Sequence, residues 1–370
     1  MKQTLLVKLL PMAEQFKALS ETMETFNRAC NEIADVAFEQ RTANKIRLQK
    51  LVYYTIRRKY GLSAQLTIRA ISKVAEAYKR DKKTKPFFRK DGAIVYDQRI
   101  LSWKGVDRVS ITTLKGRAII PVKYGVYQAE RFDRIRGQSD LIVRDKTFYL
   151  AAIVDIPEPP TYDAKEWLGV DLGVRNIATD SDGQTWSGNK VNGMRKRHAK
   201  LRAKLQSLGT KSAKRLFKKR SRKESRFARD MNHVISKRLV AKAKDTERGI
   251  ALEDLTGIHS RITVHKHQRR SQHSWSFYQL RMFIEYKGKL NGVPIRFVDP
   301  RNTSRTCPNC GTVDKRNRDG EHFQCVNCGF VGFADHIAAI NIGRVVVNQP
   351  DALSHCSQPQ SKLTDLYVSS

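Results

Sequence analysis

Three short runs of the sequence place carboxylates among apolar residues, and four paired cysteines lie between the second and the third run. The runs are Gly169–Gly173 around Asp171, Ala251–Leu255 around Glu253 and Asp254, and Ala334–His336 around Asp335. Carboxylates gathered from separate elements can hold divalent ions, and two such ions can clamp the attacking and leaving oxygens of a phosphodiester. The chemistry that this set predicts is metal-assisted phosphodiester hydrolysis.

Each of these acids also has an ordinary structural explanation. We expect Asp171 in the middle of a strand, where a buried carboxylate is costly unless a metal ion or a cation compensates. Gly173 would let a substrate backbone approach closely. Side chains alternate along a strand, so only one of Glu253 and Asp254 can join Asp171, and both could instead form a solvated strand end. Asp335 could simply cap the helix that follows it.

The order of the acids favours a catalytic site over these separate roles. An acid on a first strand, another on a later strand and a third on a late helix is the carboxylate layout of RNase H-like folds. The strand pairs expected after Asp171 suit that fold as well. The constellation as a whole predicts a reaction type, which a lone acid would not.

The cysteines form two knuckles, each followed by a glycine, with fourteen residues between them. They are Cys307, Cys310, Cys325 and Cys328. Zinc binds four thiolates tetrahedrally and such a site has no open position, so the pattern predicts a structural zinc ribbon. A redox CxxC motif is the alternative, and the doubled spacing disfavours it. His322 and His336 lie nearby and are surplus to four sulfurs.

The elements that must position these residues follow from periodicity. Residues 1–10 read as a strand, and Gly61 and Ser63 separate two further helices as a stop and an N-cap. An apolar stripe in steps of three and four predicts the first helix; its members are Phe16, Leu19, Met23, Phe26, Cys30, Ile33 and Ala37. Short β-rich runs between residues 95 and 156 predict a small barrel or sandwich, with the helices as an insertion. Pro157–Pro160 predicts a linker.

The charge of the chain indicates a polyanionic partner. Its 70 Lys and Arg residues exceed its 36 Asp and Glu residues by 34. Residues 195–229 hold sixteen basic residues and one glutamate, too one-sided for a merely solvated helix face, so nucleic acid is the expected partner. No window of about 18 apolar residues exists, which excludes a membrane span. Cys30 and Cys356 remain unmatched, a usage that fits a reducing, cytoplasmic compartment.

Taken in order, the motifs resemble the TnpB family of transposon-encoded RNA-guided nucleases, which are related to the type V CRISPR effectors. The resemblance rests on the glycine-flanked Asp171, the Leu252–Leu255 strand, the run Asp299–Gly311, the second cysteine knuckle and Ala334–Asp335. It is highly specific over residues 167–347 and softer over the first half, where Val95–Asp97 and Lys115–Pro121 match best. One departure is Ile337, where family members often carry Asn; Asn341 still matches.

The resemblance implies the following parts. A β-barrel-like wedge domain (1–10 and 91–160) would carry a helical recognition domain (11–90). An RNase H-like, RuvC-type α/β nuclease domain would follow (161–301 and 333–348), with a basic helical segment at 190–245. A zinc ribbon (302–332) would be inserted in the nuclease domain, and a disordered tail (349–370) would end the chain. Asp171, Glu253 and Asp335 map onto the catalytic triad, which we expect to bind two Mg²⁺ ions. The four cysteines map onto the zinc finger.

The function that the resemblance implies is RNA-guided cleavage of double-stranded DNA beside a short flanking motif. The guide RNA would come from the transposon end and would read the sequence by base pairing. We expect a monomeric ribonucleoprotein in the prokaryotic cytoplasm, associated with the nucleoid and not with a membrane. The alternatives are a nuclease-inactive guided DNA-binding protein and a strand-transfer transposase, and three intact carboxylates disfavour the first.

Overall fold

The computed structural model describes residues 1–254 and 277–348. Two compact units divide the chain, Met1–Pro157 and Glu158–Ser370, with the boundary at the predicted linker. The expected tail at 349–370, including Cys356, lies outside the described residues. Among the residues that are described, no helix is long and apolar enough to cross a membrane.

The first unit is built on a seven-stranded antiparallel sheet that curls into a near-barrel. Its strands are β1 (Lys2–Leu9), β2 (Ile94–Tyr96), β3 (Leu101–Lys104), β4 (Arg108–Thr113), β5 (Gly116–Lys123), β6 (Ile135–Arg144) and β7 (Thr147–Asp155). They lie in the order β2-β6-β7-β1-β5-β4-β3. β1 pairs with β7 on one side and with β5 on the other. The helices that follow β1 therefore interrupt the sheet in sequence.

Three helices of the first unit share one core with this sheet. They are α1 (Ala13–Glu39), α2 (Lys45–Tyr60) and α3 (Ala64–Arg80), and a short α4 (Val126–Ala129) follows β5. The predicted stripe of α1 is buried apart from Phe16, which is partly buried. Gly61 ends α2 in the left-handed conformation (φ 61°), and the Ser63 hydroxyl caps α3 by accepting from the backbone N–H of Leu66 at 3.3 Å. Both helix boundaries confirm the sequence prediction.

The second unit contains a mixed five-stranded sheet. Its strands are β8 (Trp167–Asp171), β9 (Asn176–Asp180), β10 (Thr185–Ser187), β11 (Gly249–Glu253) and β12 (Ile295–Val298). They lie in the order β10-β9-β8-β11-β12. β8, β9 and β10 pair antiparallel, whereas β11 is parallel to both β8 and β12. The carboxyl ends of β8 and β11 therefore meet at one edge of the sheet.

Helices cover both faces of this sheet. They are α5 (Asn189–Leu208), α6 (Lys211–Arg220), α7 (Lys223–Asp245), α8 (Phe277–Asn291) and α9 (Ala334–Asn348). Residues of α7 and α8 share a core with Leu168, Val170 and Leu252 on one face. Ala251 packs with Ile342 of α9 on the other face.

The contact between β8 and α9 depends on glycine. A Cβ atom at Gly169 would lie 1.9 Å from the carbonyl oxygen of Ala339 and 2.5 Å from the backbone nitrogen of Gly343. Any side chain at Gly169 would push α9 away from the sheet. Because Asp335 begins the same helix, this close packing also sets the position of Asp335.

A small three-stranded antiparallel sheet precedes α9. Its strands are β13 (Arg318–Asp319), β14 (His322–Gln324) and β15 (Val331–Phe333). Ile337 of α9 is buried in a cluster with Cys307, Phe323 and Cys325. Ile337 thus packs α9 against residues 302–332, called here the cysteine module, through an apolar side chain.

One detail of the sequence prediction is wrong. Asp171 is the last residue of β8 and does not lie in the middle of the strand. The chain leaves the sheet at Asp171 and turns back at once into β9, and this turn itself needs Gly173, because a Cβ atom there would lie 2.7 Å from the carbonyl oxygen of Asn176. The close approach of a substrate backbone at Gly173 stays a prediction.

Candidate active site and metal centre

The structure brings the three predicted acids to one end of the five-stranded sheet. In the β8–β11 ladder Val170 is paired with Leu252, so Asp171 and Glu253 stand side by side as the next residues of their strands. Strand alternation puts both acids on the face of the sheet that α9 covers, because Gly169 and Ala251 already contact that helix. Asp335 lies in the first turn of α9.

Glu253, and not Asp254, joins this cluster. Asp254 is exposed and forms an ion pair of 2.7 Å with Arg281. Glu253 is largely buried, and the Thr303 hydroxyl donates a hydrogen bond of 2.6 Å to its Oε1 atom. The pleat of β11 thus separates the two neighbouring acids, as the alternation predicts.

The electrostatics of the cluster are those of crowded carboxylates. Burial raises the pKa of Asp171 to about 8, and the negative charges of Glu253 and Asp335 add to the rise. Burial likewise raises the pKa of Glu253, against the lowering effect of the hydrogen bond from Thr303. Acids that resist ionisation when they are crowded together offer a strong site for multivalent cations, because a bound cation removes their mutual repulsion.

Arg318 is the cation that the structure places beside these acids. Its Nη2 atom lies 3.5 Å from Oδ1 of Asp335. Its positive charge also lowers the pKa of both Asp171 and Glu253. Arg318 begins β13 of the cysteine module, so this module supplies a positive charge to the site.

Further contacts fix the loops around the acids. The Asn176 side chain donates a hydrogen bond of 2.9 Å to Oδ2 of Asp335. Arg175 forms an ion pair with Glu321 of the cysteine module. His336, the neighbour of Asp335, lies with Nε2 3.1 Å from the carbonyl oxygen of Ser181 and so faces the β9–β10 turn.

The three carboxylates are spaced differently from the four cysteines. Among the described residues, only the four cysteines form a group of at least three potential ligands whose ligand atoms all lie within 4.8 Å of one another. The carboxylates are spread more widely than that. Two divalent ions about 3.5–4 Å apart would bridge a wider group, and carboxylate oxygens are the ligands that Mg²⁺ prefers.

The four cysteines converge as the spacing predicts. The sulfurs of Cys307 and Cys328 are 3.6 Å apart, and those of Cys310 and Cys325 are 3.5 Å apart. A tetrahedron with Zn–S bonds of about 2.3 Å has edges of about 3.8 Å, whereas a disulfide would bring two sulfurs to about 2.05 Å. The donor set therefore fits a zinc ion with four thiolate ligands.

The two cysteine knuckles have equivalent backbones. Gly311 and Gly329 both adopt left-handed conformations, with φ of 76° and 74°. Their N–H groups donate to the carbonyl oxygens of Cys307 and Cys325, at 2.9 and 3.0 Å. Only a residue without a Cβ atom adopts this turn without strain, which is why a glycine follows each pair.

The basic segment folds into α5, α6 and α7. Its one glutamate, Glu224, lies 3.7 Å from Arg195 and 3.5 Å from Arg202, so it joins α7 to α5. The first turn of α5 contacts the turn after Asp171, because Asn192 donates a hydrogen bond of 3.0 Å to the carbonyl oxygen of Val174. The basic segment thus begins beside the turn that follows Asp171.

Sequence reasoning missed Arg318, Thr303 and Asn176. Nothing in the sequence marks Arg318, which is one of many basic residues in the cysteine module. Thr303 does lie in the run Asp299–Gly311, which carried part of the family resemblance, and that run was the available signal. Asn176 follows the turn after Asp171, and the sequence does not show that this turn brings the Asn176 side chain to Asp335.

Two family models match the second half of the chain. The model described as a probable transposase, OrfB_IS605, matches residues 151–256. The model described as Cas12f1-like, TNB domain, matches residues 277–342. Asp171 and Glu253 fall in the first match, and Asp335 falls in the second with all four cysteines.

Curated relatives include one TnpB-like protein and several CRISPR nucleases. The chain is 32% identical over 189 residues to the TnpB-like protein MJ0751 of Methanocaldococcus jannaschii, a match that covers 47% of this chain and 67% of that protein. It is 35% identical over 122 residues to the CRISPR-associated endodeoxyribonuclease Cas12f1 of Sulfoacidibacillus thermotolerans, covering 32% of this chain and only 28% of that protein.

Solved structures share the fold at low sequence identity. The cryo-EM structure of a Cas12f1–sgRNA–target DNA complex aligns with a TM-score of 0.62 at 17% identity, over 88% of this chain and 82% of that one. The mini-RNA-guided endonuclease CRISPR-Cas_phi3 aligns with a TM-score of 0.59 at 11% identity, over 95% and 93%. These alignments concern the fold alone.

Proposed function

The chain belongs to the TnpB family, and from this premise we propose that it is an RNA-guided DNA endonuclease encoded by an insertion-sequence transposon. It cleaves guide-matched double-stranded DNA beside a short flanking motif. The observation that carries the proposal is the convergence of Asp171, Glu253 and Asp335 at one end of one sheet. The order of that sheet, with α9 across one face, supports a RuvC-like, RNase H-type nuclease domain.

Asp171, Glu253 and Asp335 would hold two Mg²⁺ ions, which when bound supply a water-derived nucleophile and stabilise the leaving 3′ oxygen. The rest of the site is prepared by the protein. Thr303 and Asn176 hold one oxygen each of Glu253 and Asp335, which limits the rotation of both carboxylates. Orientation of this kind is what partners beyond the ligands contribute to a metal site.

We also propose a role for Arg318 in binding the substrate phosphate. Its positive charge offsets part of the negative charge of the acids. Its guanidinium would also contact a phosphate oxygen of the substrate, for which its planar fork of donors is well suited. Arg318 would then orient the scissile phosphate and stabilise the charge that develops on it.

The partners follow from charge and from the family. The excess of 34 positive charges suits a protein that holds both an RNA and a DNA along their backbones. Base pairing with the guide would read the target, so the protein needs contacts to backbones and to the flanking motif only. We assign the wedge domain to 1–10 and 91–160, the recognition domain to 11–90 and a structural zinc ion to the ribbon at 302–332.

The two alternatives make different use of the same site. A guided binding protein that does not cut would have no use for a carboxylate whose pKa is raised to about 8 by burial, and further by the charges of two neighbouring acids. A strand-transfer transposase would use the acids but would join the ends that it makes. The single carboxylate site of the nuclease would cut the two strands in turn.

The decisive experiment uses the protein purified with RNA transcribed from its own locus. It is incubated with Mg²⁺ and a plasmid that carries the guide-matched target beside a randomised flank. We expect cleavage by the parent, and a loss of about a thousandfold or more in Asp171→Ala. The matched control is Asp254→Ala, which should cut at the parental rate because Asp254 is exposed and paired with Arg281.

Binding must be measured beside cleavage. Asp171→Ala should shift the target DNA in a gel as the parent does, since its loss leaves the basic surfaces intact. Loss of DNA binding in this variant would count against the assignment. Retention of the plasmid without cutting by the parent would favour the guided binder, and joined products would favour the transposase.

A further inference from the structure

A polar stripe on α1 fastens the segment between α3 and β2. The stripe consists of Asn27, Asn31 and Asp35, which are four residues apart and so lie on one face of the helix. Its contacts run along residues 82–92. The Asn27 amide donates a hydrogen bond of 2.8 Å to the carbonyl oxygen of Gly92. The Asn31 amide donates to the carbonyl oxygen of Phe88 at 2.9 Å and accepts from its backbone N–H at 2.8 Å. Asp35 forms an ion pair of 2.8 Å with Lys85. A segment without helix or strand is thereby held at three points.

Two adjacent phenylalanines in this segment differ in burial. Phe88 packs against the core, and the Nζ atom of Lys73 lies 5.0 Å from its ring centroid. Phe87 is 79% exposed, the highest value among the large hydrophobic side chains of the described residues. Asn31 holds both backbone groups of Phe88 and so fixes the position of the residue that directly follows Phe87.

Basic residues flank the exposed ring in sequence, and two of them are paired with acids, Lys85 with Asp35 at 2.8 Å and Arg89 with Asp91 at 3.8 Å. Residues 79–90 contain seven Lys and Arg residues and a single acid, Asp81. The Asp81 carboxylate accepts a hydrogen bond of 2.9 Å from the backbone N–H of Lys83, so it is already engaged. An exposed aromatic ring among basic side chains is the combination that single-stranded nucleic acid requires, with stacking for the bases and cations for the phosphates.

We propose that Phe87 is a stacking platform for an unpaired base of the target DNA, an inference that rests on the function proposed above. A phenyl ring has no hydrogen-bond donor or acceptor, so it accepts every base and reads no sequence. That property suits the strand whose sequence changes with every target. A guide scaffold of constant sequence would favour hydrogen-bonding side chains instead.

The test measures binding of fluorescent oligothymidylate by the full chain without guide RNA or divalent ions. An oligomer of about 30 nucleotides covers one binding site, and about 0.3 M salt suppresses contacts to phosphate more than stacking. We expect Phe87→Ala to weaken binding about tenfold, a loss typical of one stacked base. Phe87→Trp should keep the affinity, and the emission of the new tryptophan should be quenched by the oligomer.

The control variant is Val126→Ala, since Val126 is 75% exposed in the same unit and should leave the affinity unchanged. Unchanged binding by Phe87→Ala, with no quenching of Phe87→Trp, would overturn the proposal. A clearly larger loss for oligouridylate than for oligothymidylate would overturn the choice of DNA and assign the ring to RNA. Neither readout needs cleavage, so a positive result together with an uncut plasmid would reject the nuclease and keep the platform.

Discussion

Thr303 donates its hydroxyl hydrogen to Oε1 of Glu253 across 2.6 Å, although fifty residues of sequence separate them. The carbonyl oxygen of Thr303 in turn accepts a hydrogen bond of 2.7 Å from Asn341, which is buried in α9. The helix that carries Asp335 therefore also holds the backbone of the residue that orients Glu253. Glu253 and Asp335 are thus linked through protein groups.

Replacing Thr303 with Val should slow cleavage by about 10- to 100-fold, the usual effect of losing a hydrogen bond to a metal ligand. The hydrogen bond lowers the pKa of Glu253, so its loss should raise that pKa further. In a plot of cleavage rate against pH, the acidic limb should then move to higher pH. Thr303→Ser keeps the hydroxyl and should retain the parental profile; an unshifted limb in Thr303→Val would contradict this role.

Replacing Arg318 with Ala should lower the cleavage rate but raise the apparent affinity for Mg²⁺. The maximal cleavage rate should fall by about a hundredfold, as for other groups that stabilise developing charge. Less Mg²⁺ should be needed for the half-maximal rate, because a cation that competes for the acids has gone. Arg316→Ala is the control, since Arg316 is exposed and pairs with Asp314 at 2.7 Å. A higher Mg²⁺ requirement in Arg318→Ala would exclude competition.

Replacing Cys307 with Ser should remove the zinc ion and unfold the ribbon at 302–332, because three thiolates cannot close a tetrahedral site. Metal analysis and limited proteolysis would detect both effects. Asn327→Ala changes a residue between Cys325 and Cys328 that is not a ligand, so it should keep the zinc. Normal soluble yield and zinc content in Cys307→Ser would refute the zinc assignment.

The stability of the first unit should fall as pH rises from about 4 to about 6. Burial raises the pKa of Asp140 in β6 to about 6, with a further contribution from the charge of Glu76, whereas an unfolded Asp has a pKa near 3.9. The folded state therefore binds more protons than the unfolded state between these values, and raising the pH removes that stabilisation.

Asp140→Asn should abolish this part of the pH dependence. Urea unfolding of both proteins between about pH 4 and pH 7 would measure it. Asp107→Asn is the control, because Asp107 is exposed and pairs with the neighbouring Arg108; it should keep the parental slope. A parental slope in Asp140→Asn would show that another group is responsible.

The sequence by itself determined the features that are encoded within a few residues. The stripe of α1, the stop at Gly61 and the cap at Ser63 are local patterns, and the structure contains them. The cysteine spacing brought four sulfurs together because each knuckle is a tight turn of its own. The order of the carboxylates also predicted that Asp171, Glu253 and Asp335 form one site, and the structure brings them together at one end of the five-stranded sheet.

Only the tertiary structure decided which groups act on one another across long separations. It chose Glu253 over Asp254, through the register of β11 with β8. It brought Arg318 and Thr303 to the acids, and no local pattern could predict either contact. Such contacts depend on how α9 and the ribbon pack, and packing is a property of the whole unit rather than of any short segment.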